Sequence, residues 1–313
     1  MGRRRAAVMA VAMLLAAAMV VPLGGCGGDD GAESLFSYET DQPLDPEFAP
    51  APAIGGEQVE KVAYAGASGI RVPGFLALPP GAEGAPCVIY LHGFGRSKDD
   101  ATPYVEPLGR LGIGVLAIDA PFHGDRAARP RQFTDMLEDP QLFADVLRET
   151  VIDLRRGLDL LETRPECDPD RLGFIGFSFG ALNGAMLAGS DGRVRSTVLL
   201  SAGADWQALL RRADRLYLSG KSARAARERG AEGLEPYAVD EWVGRVAPRA
   251  LLLVSGRDDE VVPRASIEAL HAAAGEGSTV VWYDGGHDPF AGPDRLRVGR
   301  LVEEFLKRTL VDV

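Results

Sequence analysis

The sequence predicts an α/β fold with a mostly parallel central sheet and helices on both of its faces. Two observations lead to this prediction. Apolar strand-like runs alternate with amphipathic helix-like runs over most of the 313 residues, and a hairpin-like pair of strands precedes them. The composition, 46% hydrophobic and 25% charged, is that of an ordinary globular protein with a sizeable core. The net charge of −11, with no basic cluster in the body of the chain, argues against a nucleic-acid partner.

The first 25 residues are predicted to be a signal peptide and not part of the fold. Three arginines at positions 3–5 precede an apolar run over residues 6–21, which is short for a membrane helix and typical of a secretory signal. The small residues directly before Cys26 resemble the lipobox of bacterial lipoproteins. That resemblance implies cleavage before Cys26 and its lipidation. An ordinary secretory signal with an incidental cysteine is the alternative.

Lipidation of Cys26 would hold an exported protein stably on a membrane of the bacterial cell envelope. Gly27 is not the aspartate that, by the same resemblance, retains lipoproteins at an inner membrane, so the periplasmic side of an outer membrane is a candidate location. Residues 26–57 are rich in Gly, Asp, Ala and Pro and are predicted to be a flexible tether. One folded domain is expected over residues 58–313.

The folded domain is predicted to open with two antiparallel strands, residues 59–64 and 70–78, joined by a short turn. Continuous apolar runs, typical of buried parallel strands, predict the strands that follow. These lie at residues 87–91, 114–118, 171–175, 197–200, 250–254 and 279–283. Apolar residues at helical spacing predict helices at residues 104–111, 145–163 and 294–310.

A long insertion, residues 204–246, interrupts this alternation of strands and helices. A segment of this length is usually functional or folded in its own right. We interpret it as a helical cap that lines a substrate pocket, because its aromatic residues need a surface to cover. A solvated helical excursion is the alternative. The aromatic residues are Trp206, Tyr217, Tyr237 and Trp242.

Two cysteines, Cys87 and Cys167, remain beyond the predicted signal segment. Both lie among apolar residues, which favours inert buried thiols. An exported protein meets an oxidising compartment, so a disulfide is the alternative. Neither cysteine has the spacing of a metal site, and no metal is expected.

The stretch Gly176-Phe177-Ser178-Phe179-Gly180 carries the chemistry that the sequence predicts. It lies between a strand-like run and a helix-like run, which is the context of a nucleophile elbow. The turn is so tight that the residues two before and two after the serine must be nearly free of side chain, and both are glycine. Ser178 is therefore the candidate nucleophile.

A serine nucleophile needs a base to accept its proton and an acid to orient that base. The candidate base is His287, in a glycine-rich loop after the last predicted strand. The acid is expected in residues 255–263, which follow the preceding strand and contain Asp258 and Asp259, while Asp205 is a remote third candidate. The chain order Ser, Asp, His agrees with this arrangement.

The other three histidines are given structural roles. His92 precedes the elbow and is expected to fix a loop by hydrogen bonding. His123 is expected to be structural or at most to line a pocket. His271 falls on a predicted surface helix and is expected to be solvated.

Four motifs, taken in chain order, resemble those of the α/β-hydrolases, in the group around dienelactone hydrolases, acetyl esterases and the catalytic domain of prolyl oligopeptidases. They are His92-Gly93-Phe94-Gly95, Gly176–Gly180, Gly256–Pro263 and Gly285–Phe290. The spacing Gly-x-x-Asp-x-x-Val-Pro of that group places the acid at Asp259 and not at Asp258. The resemblance also implies that the backbone N–H groups of Phe94 and Phe179 form an oxyanion hole.

The resemblance implies a serine hydrolase that cleaves small-molecule carboxylic esters through an acyl-enzyme on Ser178, with no cofactor. Dienelactone hydrolases use a cysteine nucleophile, so the serine argues against that activity. The chain offers no room for the propeller domain of the oligopeptidases, which argues against an oligopeptidase. A peptidase or acyltransferase of the same fold is the alternative, and a non-catalytic envelope binding protein is a further one. The oligomeric state and the substrate are left open.

Overall fold

The structure, a computed structural model, describes residues 35–67, 69–127, 134–220 and 230–313. The predicted signal peptide, the predicted lipidation site Cys26 and the first part of the predicted tether lie outside the described residues. Within the ranges just given, none of the helices combines the length and the apolar character that crossing a membrane requires.

The described strands form one nine-stranded sheet in the order β1-β2-β3-β5-β4-β6-β7-β8-β9. Neighbours among β1, β2, β3 and β5 pair antiparallel, and all the other neighbours pair parallel. The mostly parallel sheet that the sequence predicts is confirmed. The strands are β1 (Glu47–Ile54), β2 (Glu57–Ala65), β3 (Arg71–Leu78), β4 (Ala85–Leu91), β5 (Gly114–Ile118), β6 (Cys167–Phe177), β7 (Val194–Leu200), β8 (Ala250–Gly256) and β9 (Thr279–Tyr283).

Helices cover both faces of the sheet, because each face carries its own cluster of buried apolar side chains. The described α-helices are α1 (Thr102–Gly109), α2 (Asp135–Glu138), α3 (Pro140–Glu162), α4 (Phe179–Ser190), α5 (Trp206–Tyr217), α6 (Val239–Gly244), α7 (Arg264–Ala273) and α8 (Arg295–Leu306). Short 3₁₀ segments lie at Lys98–Ala101, Gly124–Arg126 and Glu235–Tyr237, and a π-helical turn at Lys307–Val311 follows α8. Helices α3, α4 and α6 pack on one face, and α1 and α8 on the other.

Helix α3 begins five residues before the start that apolar spacing predicts. The Asp139 carboxylate accepts hydrogen bonds from the N–H groups of Gln141 and Leu142, at 3.1 and 3.3 Å. Pro140 occupies the first turn, where its missing N–H is not needed. The capping residues set the start of the helix, whereas the apolar stripe indicates only the part that is buried.

The flexible-tether prediction does not hold for residues 35–57, which are folded onto the domain. Residues 47–54 form β1 at the edge of the sheet, antiparallel to β2. The side chain of Phe36 is fully buried, and Arg155 donates a hydrogen bond of 2.7 Å to its carbonyl oxygen. Hydrogen bonds to its backbone and the buried ring of Phe36 hold this segment. It therefore lacks the apolar period by which folded segments are recognised.

The expectation of free thiols is wrong, because Cys87 and Cys167 form a disulfide. The two residues belong to β4 and β6, which are parallel neighbours, and the Cα atoms of Ala85 and Cys167 are paired in register. The Cα atoms of the two cysteines are 5.7 Å apart, although 80 positions separate them in the sequence. Only the order of strands in the sheet brings them together, and the sequence does not reveal that order.

Replacing both cysteines, as Cys87→Ala and Cys167→Ala, is expected to lower the free energy of unfolding by about 2–4 kcal/mol, because the bridge restricts the unfolded chain. Urea unfolding followed by circular dichroism measures the change. Wild-type protein treated with a reductant serves as the control and should shift in the same direction. Equal midpoints for the oxidised wild type and the double variant would contradict a stabilising role for the bridge.

Candidate active site

The turn between β6 and α4 places Ser178 at the carboxyl edge of the sheet. Its backbone has φ 53° and ψ −112°, a conformation that residues with a side chain rarely adopt. A Cβ atom at Gly176 would collide with the carbonyl group of Gly180, and one at Gly180 with the carbonyl group of Leu91. Both glycines are therefore required by close backbone contacts, as the tight turn predicts.

Ser178, His287 and Asp259 form one line of hydrogen bonds. The Ser178 hydroxyl lies 2.8 Å from Nε2 of His287, and Nδ1 of His287 lies 2.9 Å from Oδ2 of Asp259. An ionised carboxylate can only accept, so Nδ1 carries the proton and Nε2 accepts the hydrogen bond from the serine hydroxyl. This is the arrangement in which a serine hydroxyl can be deprotonated by a neighbouring imidazole.

The structure separates Asp259 from the other two candidate acids. The Asp259 side chain is 1% exposed, and its Oδ1 also accepts hydrogen bonds of 2.8 Å from the N–H groups of Val261 and Val262. The backbone N–H of Asp258 donates to the carbonyl oxygen of Gly285. The carboxylate of Asp205 accepts a bond from the N–H of Ala208 in the first turn of α5.

His92 fixes the peptide group between Gly93 and Phe94. Its Nε2 accepts a hydrogen bond of 3.1 Å from the N–H of Ala120, so its Nδ1–H donates to the carbonyl oxygen of Gly93, 2.8 Å away. In a planar trans peptide the N–H points opposite to the carbonyl oxygen. The N–H of Phe94 therefore points away from the His92 ring. A Cβ at Gly93 would contact the ring of Phe177, so glycine allows this close approach.

Phe179, the first residue of α4, offers a second backbone donor beside Ser178. The N–H groups in the first turn of a helix have no partner within the helix, and that end carries a partial positive charge. The rings of Phe94 and Phe179 lie 5.9 Å apart, and the His123 ring stacks on Phe179 at 5.5 Å. His123 is held by a contact of 2.7 Å between its Nδ1 and the carbonyl oxygen of Pro121.

Arg96 links the loop after β4 to the loop that carries His287. Its guanidinium donates a hydrogen bond of 2.7 Å to Asp288 and one of 3.0 Å to Asp100. It also lies over the ring of Phe177, which packs 5.2 Å from the imidazole of His287. The sequence does not reveal this link, because nothing in the local sequence of either loop indicates that they meet.

An apolar pocket of about 80 Å³ opens at Ser178. One side of α5 forms its outer wall, with side chains at the spacing of a single helix face. These are Trp206, Leu209, Leu210, Ala213 and Tyr217. Leu137 of α2 and Phe143 of α3 also line it, and no sequence signal pointed to them. The described part of the predicted cap therefore contributes to the pocket together with helices that precede the elbow.

Burial lowers the pKa of His92 and that of His123, each to about 4. Both rings are thus neutral at neutral pH, and neutral His92 can accept the hydrogen bond from Ala120. His271 departs from the expectation of a solvated side chain, because its Nε2 lies 3.0 Å from the Ser255 hydroxyl and its ring packs 4.9 Å from that of Trp282.

The described residues hold no group of three or more side chains suited to bind a metal ion.

Comparison with known proteins finds similarity to hydrolases. Residues 88–231 match the family model described as the Alpha/beta hydrolase family. The chain is 30% identical over 157 residues to the putative hydrolase YtaP of Bacillus subtilis, a match that covers 45% of this chain and 52% of that protein, about half its length. It is 29% identical over 205 residues to the esterase YjfP of Escherichia coli, covering 61% of this chain and 76% of that protein.

Similar solved structures are named as esterases. Acetyl xylan esterase 1 from Thermoanaerobacterium superposes with a TM-score of 0.69 at 19% identity, over 90% of this chain and 93% of that one. The Pyrococcus furiosus esterase Pf2001 superposes with a TM-score of 0.63 at 20% identity, over 88% of this chain and 100% of that one. At such identities the likeness establishes the fold: the chain has the α/β-hydrolase fold that the resemblance implies.

Acidification is expected to destabilise the protein because His92 and His123 are buried in the neutral form. A histidine in the unfolded chain titrates near 6.5, so between about pH 6.5 and 4 the unfolded state binds more protons at these two positions. The contribution of these two neutral histidines to the free energy of unfolding is complete above about pH 6.5 and is lost as the pH falls towards 4. Burial raises the pKa of Asp153 to about 6. On acidification the folded state therefore binds one proton at Asp153 before the unfolded state does, which offsets part of the loss of stability.

His92, His123 and Asp153 together should therefore lower the free energy of unfolding, measured with urea from pH 7 to pH 4.5, by about 3 kcal/mol, and His271, whose pKa burial also lowers to about 4, should add to this fall. In Asp153→Asn the pH dependence should be steeper, since no carboxyl remains there to take up the compensating proton. Stability that is constant or rises on acidification would show that these histidines are not held in the neutral form.

Proposed function

We propose that this chain, which has the α/β-hydrolase fold, is a hydrolase of small-molecule carboxylic esters that acts through an acyl-enzyme on Ser178. The observation that carries the proposal is the line of hydrogen bonds from Asp259 through His287 to Ser178, at the mouth of an apolar pocket. The names of the similar proteins, an esterase and acetyl xylan esterases among them, support the same reaction class.

In the first step, the Ser178 oxygen attacks the carbonyl carbon of the ester while Nε2 of His287 accepts the hydroxyl proton. The ring then carries two N–H groups, and Asp259 stabilises the positive charge through its short contact to Nδ1. Asp259 is held ready for this role by the N–H groups of Val261 and Val262, which keep its carboxylate in place.

The negative charge that develops on the carbonyl oxygen is stabilised by the N–H groups of Phe94 and Phe179. Each such donor is worth about 3 kcal/mol of transition-state stabilisation. His92 acts indirectly, because its hydrogen bond to the Gly93 carbonyl oxygen fixes the direction of the Phe94 N–H. We regard His92 as a positioning residue of this oxyanion hole.

The tetrahedral intermediate collapses when the bond to the leaving alcohol breaks and His287 gives its proton to that alcohol. A water molecule then attacks the acyl group on Ser178, and Nε2 of His287 accepts the proton of the water. The second tetrahedral intermediate releases the carboxylic acid and returns the proton to the Ser178 oxygen. Each turnover consumes one ester and one water and yields one acid and one alcohol.

The pocket indicates a short apolar acyl group. Its volume of about 80 Å³ is well below the roughly 300 Å³ at which pockets for drug-sized ligands begin. Carbon-rich side chains from α5, with Leu137 and Phe143, surround this space, so an apolar group gains by leaving water.

We further propose that the protein is exported and anchored to a membrane of the cell envelope through lipid on Cys26. The basic start, the apolar run and the small residues before Cys26 support this proposal. The disulfide between Cys87 and Cys167 also favours an oxidising compartment, where such bonds persist. Metabolic labelling with a fatty acid, compared between wild type and Cys26→Ala, tests it.

A fluorophosphonate probe is expected to label the wild type at Ser178 and to leave Ser178→Ala unlabelled, because only an activated serine reacts rapidly. Peptide mass spectrometry identifies the labelled residue. Ser201 lines the same pocket and serves as the internal control, since its hydroxyl donates to the carbonyl oxygen of His287 and should not react. Equal labelling of Ser178→Ala and wild type, or a probe found on Ser201, would reject the proposed nucleophile.

His92→Ala is expected to lower kcat for a p-nitrophenyl ester by about 10- to 100-fold with little change in KM, because the N–H of Phe94 loses its fixed direction. His271→Ala is the matched control, a histidine that is also bonded through Nε2 but lies away from the pocket, and should keep the wild-type kcat. A loss confined to KM in His92→Ala would contradict the positioning role of His92.

A further inference from the structure

Phe36 lies in the segment that the sequence assigns to a tether, yet its side chain is fully buried. Its ring packs against two aromatic rings of the predicted insertion, Tyr237 at 6.2 Å and Trp242 at 5.1 Å. Tyr237 ends the 3₁₀ segment Glu235–Tyr237, and Trp242 belongs to α6. A residue near the start of the described residues therefore supports a part of the predicted cap.

We call residues 35–45 the N-terminal arm, and helix α3 holds it in a fixed position. Arg148 donates a hydrogen bond of 2.9 Å to the carbonyl oxygen of Leu35, and Arg155 one of 2.7 Å to that of Phe36. The Arg156 side chain is 1% exposed and donates to the carbonyl oxygen of Pro43 at 3.0 Å. Hydrogen bonds from charged donors are among the stronger ones in proteins. The backbone on both sides of Phe36 is thus fixed to α3.

Two contacts connect Phe36 to the pocket. The indole N–H of Trp206 donates a hydrogen bond of 2.9 Å to the carbonyl oxygen of Tyr237, against whose ring Phe36 packs. Trp206 lines the pocket at Ser178 and meets the ring of Phe143 edge-on at 5.5 Å. The wall formed by Trp206 therefore depends on the position of Tyr237.

We propose that Phe36 is a positioning residue that sets the depth of the acyl pocket by holding Tyr237 and, through it, Trp206. The inference rests on the proposed function, since it concerns the acyl group that the pocket accepts. Protein interiors are close-packed, so removal of the Phe36 ring leaves a space into which Tyr237 can relax. The Trp206 indole then loses its fixed acceptor, and the pocket wall moves outward.

Phe48 provides the matched control for the Phe36 substitution. It is also a phenylalanine of the predicted tether, it is partly buried, and it packs on the same core cluster. It lies on β1 at the edge of the sheet, where its ring is covered by the guanidinium of Arg164 at 4.5 Å. Phe48→Ala should lower stability without changing the pocket.

The test compares kcat and KM of Phe36→Ala, Phe36→Leu and Phe48→Ala on p-nitrophenyl esters of increasing acyl length. In Phe36→Ala the ratio of kcat/KM for a long over a short acyl group should rise by about 10-fold or more, mainly through a lower KM for the long acyl group, since small changes of fit in an apolar pocket have effects of this size. Phe36→Leu should give an intermediate ratio, and Phe48→Ala the wild-type ratio. An unchanged ratio in Phe36→Ala, or an equal change in Phe48→Ala, would overturn the proposal.

Hydrogen–deuterium exchange supplies a readout that does not need turnover. Peptides from residues 206–217 and 234–243 should exchange faster in Phe36→Ala than in wild type and remain unchanged in Phe48→Ala. If Phe36→Ala does not fold, Phe36→Leu takes its place with a smaller effect of the same sign. Unchanged exchange in both peptides would overturn the support of Trp206 by Phe36. Absence of Ser178-dependent turnover in the wild type would instead reject the proposed function.

Discussion

The backbone of Ser178 is held in a conformation that is unfavourable for a residue with a side chain, and the rest of the site is arranged around it. Its φ of 53° is maintained because Gly176 lets β6 approach the backbone of α4, because Gly180 lets α4 approach the backbone at the end of β4, and because the N–H of Ser178 donates to the carbonyl oxygen of Leu200. The turn points the hydroxyl out of the sheet. The free energy that this strain costs must be supplied by the packing of β6 between β4 and β7.

The other groups reach Ser178 because they follow neighbouring parallel strands. Loops after β4, β8 and β9 carry Phe94, Asp259 and His287, and the carboxyl ends of these strands lie at one edge of the sheet. This is where open parallel sheets place their ligand sites. Hydrogen bonds and ion pairs between the loops, such as that of Arg96 with Asp288, then fix positions that the strands set only approximately.

The sequence predicts best what local chemistry constrains. That Ser178, His287 and Asp259 come together could be predicted, because a tight turn requires glycines around the serine and because each partner follows a strand. The strands at residues 114–118 and 279–283 have the predicted bounds, since each is a continuous apolar run. The disulfide of Cys87 with Cys167 could not be derived, because its geometry depends on strand order. The folded structure of residues 35–57 is not predicted from the sequence. Its stabilising contacts are hydrogen bonds to carbonyl oxygens and the packing of one buried ring, and these leave no periodic pattern of apolar residues.

The claim on which the account depends is that an acyl group is carried by Ser178 between the two halves of the reaction. Intact-mass spectrometry of protein quenched in acid shortly after mixing with p-nitrophenyl acetate measures this directly. The account predicts a mass increase of one acetyl group, mapped by peptide analysis to the peptide containing Ser178, which disappears as the substrate is exhausted. Two results would contradict the account. In the first, the ester is hydrolysed and the acetyl group is found on another residue. In the second, the ester is hydrolysed and rapid quench never detects acetylated protein.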